Sequence, residues 1–190
     1  MTAYPREELE DMLARMKAAN DLAGQTGDWG PLADLYTEDA LYTWNIGTTH
    51  EFVARGRDQI RDWVLGTEME GLEGWQYPYV RTLIDDVKGE VVVFWRQVAP
   101  QTRPDGDPYE IVGTGGSWFH YAGNHRWDWQ RDFFDHMNAG KAFMDMAADG
   151  NLSEGMQARM AKGLMPGWTP IADFDWLPTI PGGAEAHPEF

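Results

Sequence analysis

Apolar and polar residues recur with two different periods along this chain, and each period predicts a different kind of element. Over residues 5–23 the apolar positions follow helical spacing, which predicts a long N-terminal helix whose apolar stripe holds Leu9, Met12, Leu13, Met16 and Ala19. Further and shorter helices are predicted over 29–35, 58–65, 136–148 and 153–162.

Alternation of apolar and polar residues replaces helical spacing in the middle of the chain. Clusters of Gly, Pro, Asn and Asp separate the alternating segments, as they do between strands. Strands are predicted over 40–46, 51–55, 77–84, 90–99, 109–121 and 127–135. Helices followed by a run of antiparallel strands predict an α+β fold, in which the helices cover one face of a curved sheet.

The last predicted strand, WDWQRDFFD, shows the clearest alternation. Successive side chains of a strand face opposite sides, so Trp127 and Trp129 share one side, and Gln130, Asp132 and Phe134 share the other. The first side is bulky and aromatic and suits packing. The second side carries carboxylate and amide groups, which suit either solvent or a polar pocket.

The composition changes near the C-terminus, from Met165 onward. Proline and glycine become frequent there and alternate with aromatic residues such as Trp168, Phe174 and Trp176. This pattern predicts an extended arm with aromatic anchors rather than a second folded domain. We therefore expect a main domain over 5–149, followed by a short helix and the arm over 150–190.

Charge and composition exclude several classes of function. The 190 residues carry a net charge of -16, which argues against nucleic acid and against anionic membrane surfaces as partners. The chain has no cysteine, so thiol nucleophiles and thiolate metal sites are excluded. The N-terminus is acidic and polar, and no apolar run approaches the roughly 20 residues of a membrane helix. We expect a cytoplasmic protein.

Most of the usual catalytic motifs are missing. The five histidines show no metal-ligand spacing, so no metal is expected. The glycines at 113–117 lack a Walker lysine and predict a bend or a place where a ligand approaches the backbone.

The remaining candidate is Asp132, in an aromatic setting. Burial among rings would raise the pKa of its carboxyl group and make it a general acid or base. It could instead be a structural partner of Arg96 or Arg131. Asn20, on or beside the helix stripe, is either a boundary residue or a hydrogen-bond donor to a pocket.

Three segments together resemble a known family. GDWGPLADLYTEDALYTWNIG, ARGRDQIRDW and WDWQRDFFD, in this order, resemble the SnoaL-like domain of the nuclear transport factor two-like superfamily over roughly 12–143. That superfamily includes ketosteroid isomerase, scytalone dehydratase, limonene epoxide hydrolase and polyketide cyclases. The resemblance implies a cone: a curved antiparallel sheet wrapped round the long N-terminal helix, with a deep pocket. It also implies that Gln130, Asp132 and Phe134 face the pocket, and that Trp127 and Trp129 pack outside, against a partner subunit or the arm.

Compared with ketosteroid isomerase, the resemblance implies a different chemistry. The position of the catalytic base holds Trp44, and the two oxyanion donors are replaced by Asn20 and Ser117. These replacements argue against that isomerisation.

Limonene epoxide hydrolase is the more similar relative. Tyr42 and Asp132 match its pattern, Asn45 is displaced by one position, and Arg96 matches without the carboxylate that follows it. Two members of its Asp-Arg-Asp relay are therefore present.

We expect a cofactor-independent lyase-type enzyme that dehydrates, cleaves by a retro-aldol step or cyclises an aromatic or polycyclic small molecule. Asp132 is expected to move the proton, while Tyr42 and Arg96 polarise or hold an oxygen. Residues expected to orient or enclose the substrate are Asn20, Trp44, Asn45, Trp63, Trp95, Ser117, Phe119 and Gln130.

Two alternatives stay open. An epoxide hydrolase-like enzyme needs a second carboxylate near Arg96, and a non-catalytic binding or assembly module would have a cone filled with tryptophan side chains. We also expect a homodimer, because tryptophan and phenylalanine are in surplus on the presumed convex face and in the arm.

Overall fold

A long helix and a seven-stranded sheet make up most of the structure, a computed structural model that describes residues 4–162 and 165–182. Helix α1 (Arg6–Thr26) begins directly after Pro5 and ends at Gly27, whose φ of 76° is the left-handed conformation that glycine adopts readily at a helix end. The predicted long N-terminal helix is confirmed and extends three residues beyond the predicted end.

Six of the seven strands follow the predicted alternating segments: β1 (Tyr36–Ile46), β2 (His50–Arg55), β3 (Tyr79–Asp85), β4 (Glu90–Thr102), β5 (Pro108–Gly123) and β6 (Arg126–Phe133). The seventh strand is β7 (Trp168–Pro170). Their order across the sheet is β3-β4-β5-β6-β1-β2-β7. The predicted α+β cone is confirmed, with a curved open sheet beside the long helix.

One pair of neighbouring strands departs from the expected antiparallel sheet. Strands β1 and β6 run parallel, and every other neighbouring pair in the described sheet is antiparallel. No hairpin joins β1 to β6, since residues 47–125 lie between them. Their relative direction is therefore free of the constraint that a tight turn imposes.

The remaining helices also fall where helical spacing predicted them. They are α2 (Arg57–Gln59), which runs into a wider π-helical turn (Ile60–Val64), α3 (His136–Ala148) and α4 (Glu154–Ala161). The Ser153 hydroxyl accepts a hydrogen bond from the Met156 amide at 3.1 Å and so caps α4. The predicted helix over 29–35 is a 3₁₀ turn (Gly30–Leu35).

A β-bulge in β6 reverses the side that Trp127 faces. His120 pairs with Trp129 and Tyr121 pairs with Trp127, so Asp128 is an extra residue without a partner position in β5. The Trp127 side chain therefore points into the core, where it is 0% exposed. The expectation that Trp127 packs outside is wrong for this reason.

The C-terminal arm covers the outer face of the sheet at β5 and β6. The Trp129 indole donates a hydrogen bond to the Thr179 hydroxyl at 3.0 Å, and the Trp118 ring lies 6.4 Å from the Trp176 ring. The arm also supplies β7, an edge strand that the sequence did not predict and that pairs with β2. Trp129 thus packs outside against the arm, as expected.

The division of the chain at residue 149 stays a prediction. Positions 163–164 and 183–190 of the predicted C-terminal part lie outside the described residues. Among the residues that the structure describes, none of the helices is both long and apolar enough to cross a bilayer.

We expect Trp176→Ala to release the arm from the sheet. The Trp176 ring lies 4.4 Å from the Arg131 guanidinium, and its removal should lower the free energy of unfolding by about 1–3 kcal/mol. Urea denaturation measures the loss, and hydrogen exchange over 168–182 should become faster. Leu177→Ala, at the more exposed neighbouring position, is the matched control. Equal effects of the two variants would contradict the anchoring role.

Candidate functional site

An open cavity of about 460 Å³ lies between α1, the inner face of the sheet, and helices α3 and α4. Aromatic rings from the strands and the segment before β3 form much of its wall: Tyr36, Tyr42, Trp44, Tyr77, Tyr79 and Trp95. Its volume lies within the range of pockets that enclose small organic ligands. The cone is therefore not filled by tryptophan side chains.

Asp132 lies on the wall of this cavity, in the position that strand alternation predicts. In the sheet it lies between Trp44 of β1 and Ser117 of β5. Its carboxyl oxygens accept hydrogen bonds from the Tyr42 hydroxyl at 2.6 Å and from the Gln130 amide at 2.7 Å. Two neighbouring strands thus fix the orientation of one carboxyl group.

A second layer of hydrogen bonds holds this arrangement in place. The Ser117 hydroxyl accepts from the Trp95 indole at 2.9 Å and from the Gln130 amide at 3.3 Å. The Tyr36 hydroxyl donates to the carbonyl oxygen of the Gln130 side chain. Gln130 is therefore fixed at both ends of its amide, and the orientation of Asp132 depends on it.

The surroundings of Asp132 change its acidity. Burial raises the pKa of the carboxyl group, while hydrogen bonds from Ser117, Tyr42 and Gln130 and the charge of Arg131 act in the opposite direction. Burial, together with the negative charge of Asp132, raises the pKa of Tyr42 well above its ordinary value. Asp132 is thus able to hold a proton more readily than an exposed aspartate, and Tyr42 stays protonated.

Asp132 is not the ion-pair partner of either arginine that the sequence offered. The Arg131 guanidinium donates to both carboxylate oxygens of Glu51, each at 3.0 Å. The Arg96 Nε donates to Glu110 at 2.7 Å. The expected pairing of Asp132 with Arg96 or Arg131 is therefore wrong.

Arg96 does not reach the cavity, which corrects its expected role. Its neighbours Trp95 and Gln97 face inward and line the cavity, so strand alternation turns Arg96 outward, where its side chain is 52% exposed. Its carboxylate partner, Glu110, lies on the same outer side. The relay that an epoxide hydrolase-like enzyme would need is not assembled around Asp132.

The other predicted site residues divide into two groups. Those that line the cavity are Asn20, Trp44, Trp95, Ser117 and Gln130. Asn45, Trp63 and Phe119 are not part of its lining.

Each of the three residues outside the lining has a different reason for its position. Phe119 is wholly buried, with its ring centroid 4.8 Å from that of Trp127. Trp63 packs on the core from the π-helical turn. Asn45 lies between two cavity-lining residues of β1, so alternation turns its side chain away.

Asn20 lines the cavity and also holds the fold together. Its side-chain amide donates to the Tyr77 backbone carbonyl at 3.1 Å. This bond ties α1 to the segment before β3 at the cavity wall, and a hydrogen bond from Asn20 to a ligand stays a prediction.

Sequence reasoning missed several residues of the cavity wall. Tyr77 and Tyr79 fall two positions apart around the start of a predicted strand, so the alternation rule could have placed both on one side. Tyr36 and Gln97 also line the cavity.

His136, in the first turn of α3, gave no signal in the sequence. Its side chain lines the cavity, and burial lowers the pKa of the imidazole. Within the described part of the chain, its Nε2 atom is buried without a hydrogen-bond partner. Across those same residues, no group of three or more His, Asp and Glu side chains could hold a metal ion.

A family model and several solved structures match this chain. A model described as a SnoaL-like domain matches residues 16–129. The chain is similar in structure to an NTF2-like protein from Anabaena variabilis, with 18% sequence identity, a TM-score of 0.54, and coverage of 71% of this chain and 95% of that one. No curated protein sequence matches the chain.

Two further solved structures share the fold. A phenazine biosynthesis-related protein from Pseudomonas aeruginosa is 12% identical, with a TM-score of 0.58 and coverage of 74% of this chain and 83% of that one. PrhC from Penicillium brasilianum is 15% identical, with a TM-score of 0.57 and coverage of 80% and 96%. At these identities the likeness concerns the fold alone.

Proposed function

Because this chain belongs to the SnoaL-like domain family, within the nuclear transport factor two-like superfamily, we propose that it is an enzyme that binds a ring-containing small molecule and transforms it by acid–base catalysis. The reaction is of lyase type, a dehydration, retro-aldol cleavage or cyclisation, and it needs no cofactor. One observation carries the proposal: the Asp132 carboxyl group, hydrogen-bonded by Tyr42 and Gln130, borders a cavity walled by aromatic rings. A positioned acid or base beside the bound substrate is sufficient for such chemistry.

Dehydration of a β-hydroxy ketone illustrates the proposed roles. The Asp132 carboxylate takes a proton from the carbon next to the carbonyl group, and negative charge develops on the carbonyl oxygen. The hydroxyl group then leaves as water with the proton that Asp132 returns, and the carboxylate is regenerated. A retro-aldol cleavage begins instead with proton removal from the hydroxyl group.

The developing negative charge needs a hydrogen-bond donor, which Arg96 cannot supply from the outer face. Tyr77 and Tyr79 line the cavity, and burial raises the pKa of both phenols. They remain protonated and able to donate to an oxyanion. In this proposal Tyr42 sets the acidity of Asp132, and the other two tyrosines hold the substrate oxygen.

Thermal-shift screening of hydroxylated one- to three-ring aromatic ketones tests the proposal. A bound compound raises the unfolding temperature by mass action, whatever the chemistry. Each compound that binds is then incubated with the enzyme, and mass spectrometry detects loss of water or carbon–carbon cleavage. If compounds of the panel bind and none is transformed, that result would contradict the proposed enzymatic activity.

We expect Tyr42→Phe to move the acid limb of the pH profile. The Tyr42 hydrogen bond lowers the pKa of Asp132, so its removal raises that pKa. If the carboxylate is the base, the limb of kcat/KM at low pH should shift to higher pH. Tyr109→Phe is the control, because the Tyr109 hydroxyl donates to another carboxylate, Asp149, at 2.5 Å. A profile unchanged in Tyr42→Phe would contradict the coupling.

A non-catalytic ligand-binding protein is the second candidate. It is favoured by the mutual hydrogen bonds of Tyr42, Gln130 and Asp132, which already occupy the polar groups that an enzyme needs for its substrate. In that case compounds bind with no turnover, and Asp132→Asn changes affinity alone.

The homodimer stays a prediction, and so does the cytoplasmic location. The arm covers the outer tryptophans that motivated a dimer, so the original reason for a partner subunit is weaker. Size-exclusion chromatography with light scattering measures the mass, and a monomeric mass would contradict the dimer.

A further inference from the structure

Methionine side chains are concentrated on one part of the cavity wall. The chain has ten methionines, and five of them line this cavity: Met16, Met69, Met156, Met160 and Met165. Methionine is unbranched and flexible, and its thioether adapts to ligands of irregular or variable shape. The aromatic rings around Asp132 are rigid by comparison. The cavity therefore combines two surfaces with different properties.

Four of these methionines belong to segments that are tied to each other. Met165 lies three residues before Trp168, whose indole donates to the Glu68 carboxylate at 3.4 Å. Met69 ends a 3₁₀ turn (Thr67–Met69), and Met156 and Met160 lie on α4. The Ser153 hydroxyl, at the start of α4, donates to the Gly71 carbonyl at 2.9 Å. A side chain at Gly155 would meet the Gly71 Cα atom at 2.9 Å, so the two backbones are in close contact.

Charged residues at this end of the cavity neutralise each other. Arg159 forms an ion pair with Glu68, and Lys162 forms one with Glu70. The exposed fractions of the Arg159 and Glu68 side chains are only 21% and 9%. This end of the cavity therefore offers a ligand apolar surface bordered by compensated charges.

Met160 connects this apolar wall to the outside. It lines the cavity and is nevertheless 58% exposed, whereas Met156 is 4% exposed. Apolar surface thus continues from the interior to the rim.

We propose that Met69, Met156, Met160 and Met165 form a binding site for an uncharged, flexible hydrocarbon chain. The molecule that the cavity takes then has two parts, an oxygen-bearing ring beside Asp132 and an alkyl chain along the four methionines. This inference rests on the proposed function in that both concern the same cavity, and it adds the class of substrate.

Binding of 4-alkylphenols of increasing chain length, measured by isothermal titration calorimetry, tests the proposal. The probes are phenol, 4-ethylphenol, 4-butylphenol and 4-hexylphenol. Each methylene group that is buried should lower the Kd by about fourfold. A Kd that does not depend on chain length, or no binding of the longer probes, overturns the proposal.

A double variant tests whether the gain in affinity with chain length comes from these methionines or from non-specific hydrophobic binding. Met69→Gln with Met160→Gln keeps two unbranched side chains of similar length but makes them polar. In this variant each added methylene group of the probe should lower the Kd by less than about twofold. The control is Met137→Gln with Met144→Gln, since these methionines of α3 are 84% and 63% exposed and do not line the cavity. An unchanged gain in the first double variant overturns the proposal.

Asp132→Asn distinguishes failure of this inference from failure of the proposed function. That variant should change the Kd of every probe by a similar factor and leave the gain per methylene intact. An affinity that rises with chain length, without any turnover, would support the alkyl-chain site and contradict the proposed enzymatic function. Turnover that depends on Asp132, with an affinity independent of chain length, would support the enzymatic function and contradict the alkyl-chain site.

Discussion

Asp132→Asn is expected to lower kcat by about 10²–10⁴-fold, the range over which a positioned general acid or base contributes to catalysis. Asparagine has nearly the same shape as aspartate and keeps a hydrogen-bonding side chain beside Tyr42 and Gln130, but it cannot carry the proton. Turnover of a compound identified by the ring-ketone screen measures the effect. Unchanged turnover would remove Asp132 from the mechanism.

The same strand supplies a matched control. Asp128 lies at the bulge on the outer face, where its carboxylate is 2.6 Å from His120 Nδ1. Asp128→Asn is the same substitution at an aspartate four residues before Asp132, and it should leave kcat unchanged. An equal loss in both variants would show that the strand, rather than the cavity carboxyl group, is sensitive to substitution.

Asp132→Asn should also stabilise the protein at neutral pH. Burial raises the pKa of Asp132 in the folded state, so its contribution to stability is complete below the unfolded-state pKa and is lost as the pH rises through the folded-state pKa. The variant has no such carboxylate to desolvate. Urea denaturation at several pH values should show the stability difference growing from low pH to neutral pH, and a less stable variant at neutral pH would contradict this account.

Glu51→Gln is expected to lower the free energy of unfolding by about 3 kcal/mol, because it leaves a buried guanidinium without its counter-charge. Glu51 and Arg131 form two hydrogen bonds of 3.0 Å between β2 and β6, and their side chains are 8% and 11% exposed. Trp176 of the arm lies against the same guanidinium. Urea denaturation with a constant m-value measures the loss.

The pair of Arg96 and Glu110 provides the comparison. It is also a two-hydrogen-bond pair, in this case between the neighbouring strands β4 and β5, but the Arg96 side chain is 52% exposed. Glu110→Gln should therefore have a much smaller effect, since solvent screens exposed charges. Replacing both Glu51 and Arg131 by leucine should recover most of the stability, because it removes the buried charge with its partner. Similar losses in Glu51→Gln and Glu110→Gln would contradict the role of burial.

Local patterns in the sequence were sufficient for most of the elements. Helical spacing placed α1 and α3, and alternation placed the first six strands, because these periods follow directly from backbone geometry. Alternation also placed Gln130 and Asp132 on one side of β6, since no bulge lies between these two residues, and the resemblance to the family implied that this side faces the pocket. Tyr42, Trp44 and Ser117 followed from the resemblance to the family.

The tertiary structure decided which of these side chains act together. The inserted Asp128 reverses the side that Trp127 faces, the arm adds β7 and covers Trp118 and Trp129, and Arg96 pairs with Glu110. Each of these outcomes depends on the register between strands that are distant in sequence, and one extra residue changes it.

The sequence by itself thus determined the α+β fold, the order of its elements and a carboxyl group on the cavity side of the last long strand. Only the tertiary structure determined the partners of that carboxyl group and the concentration of methionines on the cavity wall. The physical reason is that periodicity acts within one element, whereas a cavity is formed by side chains from many elements. Their proximity depends on how those elements pack against each other.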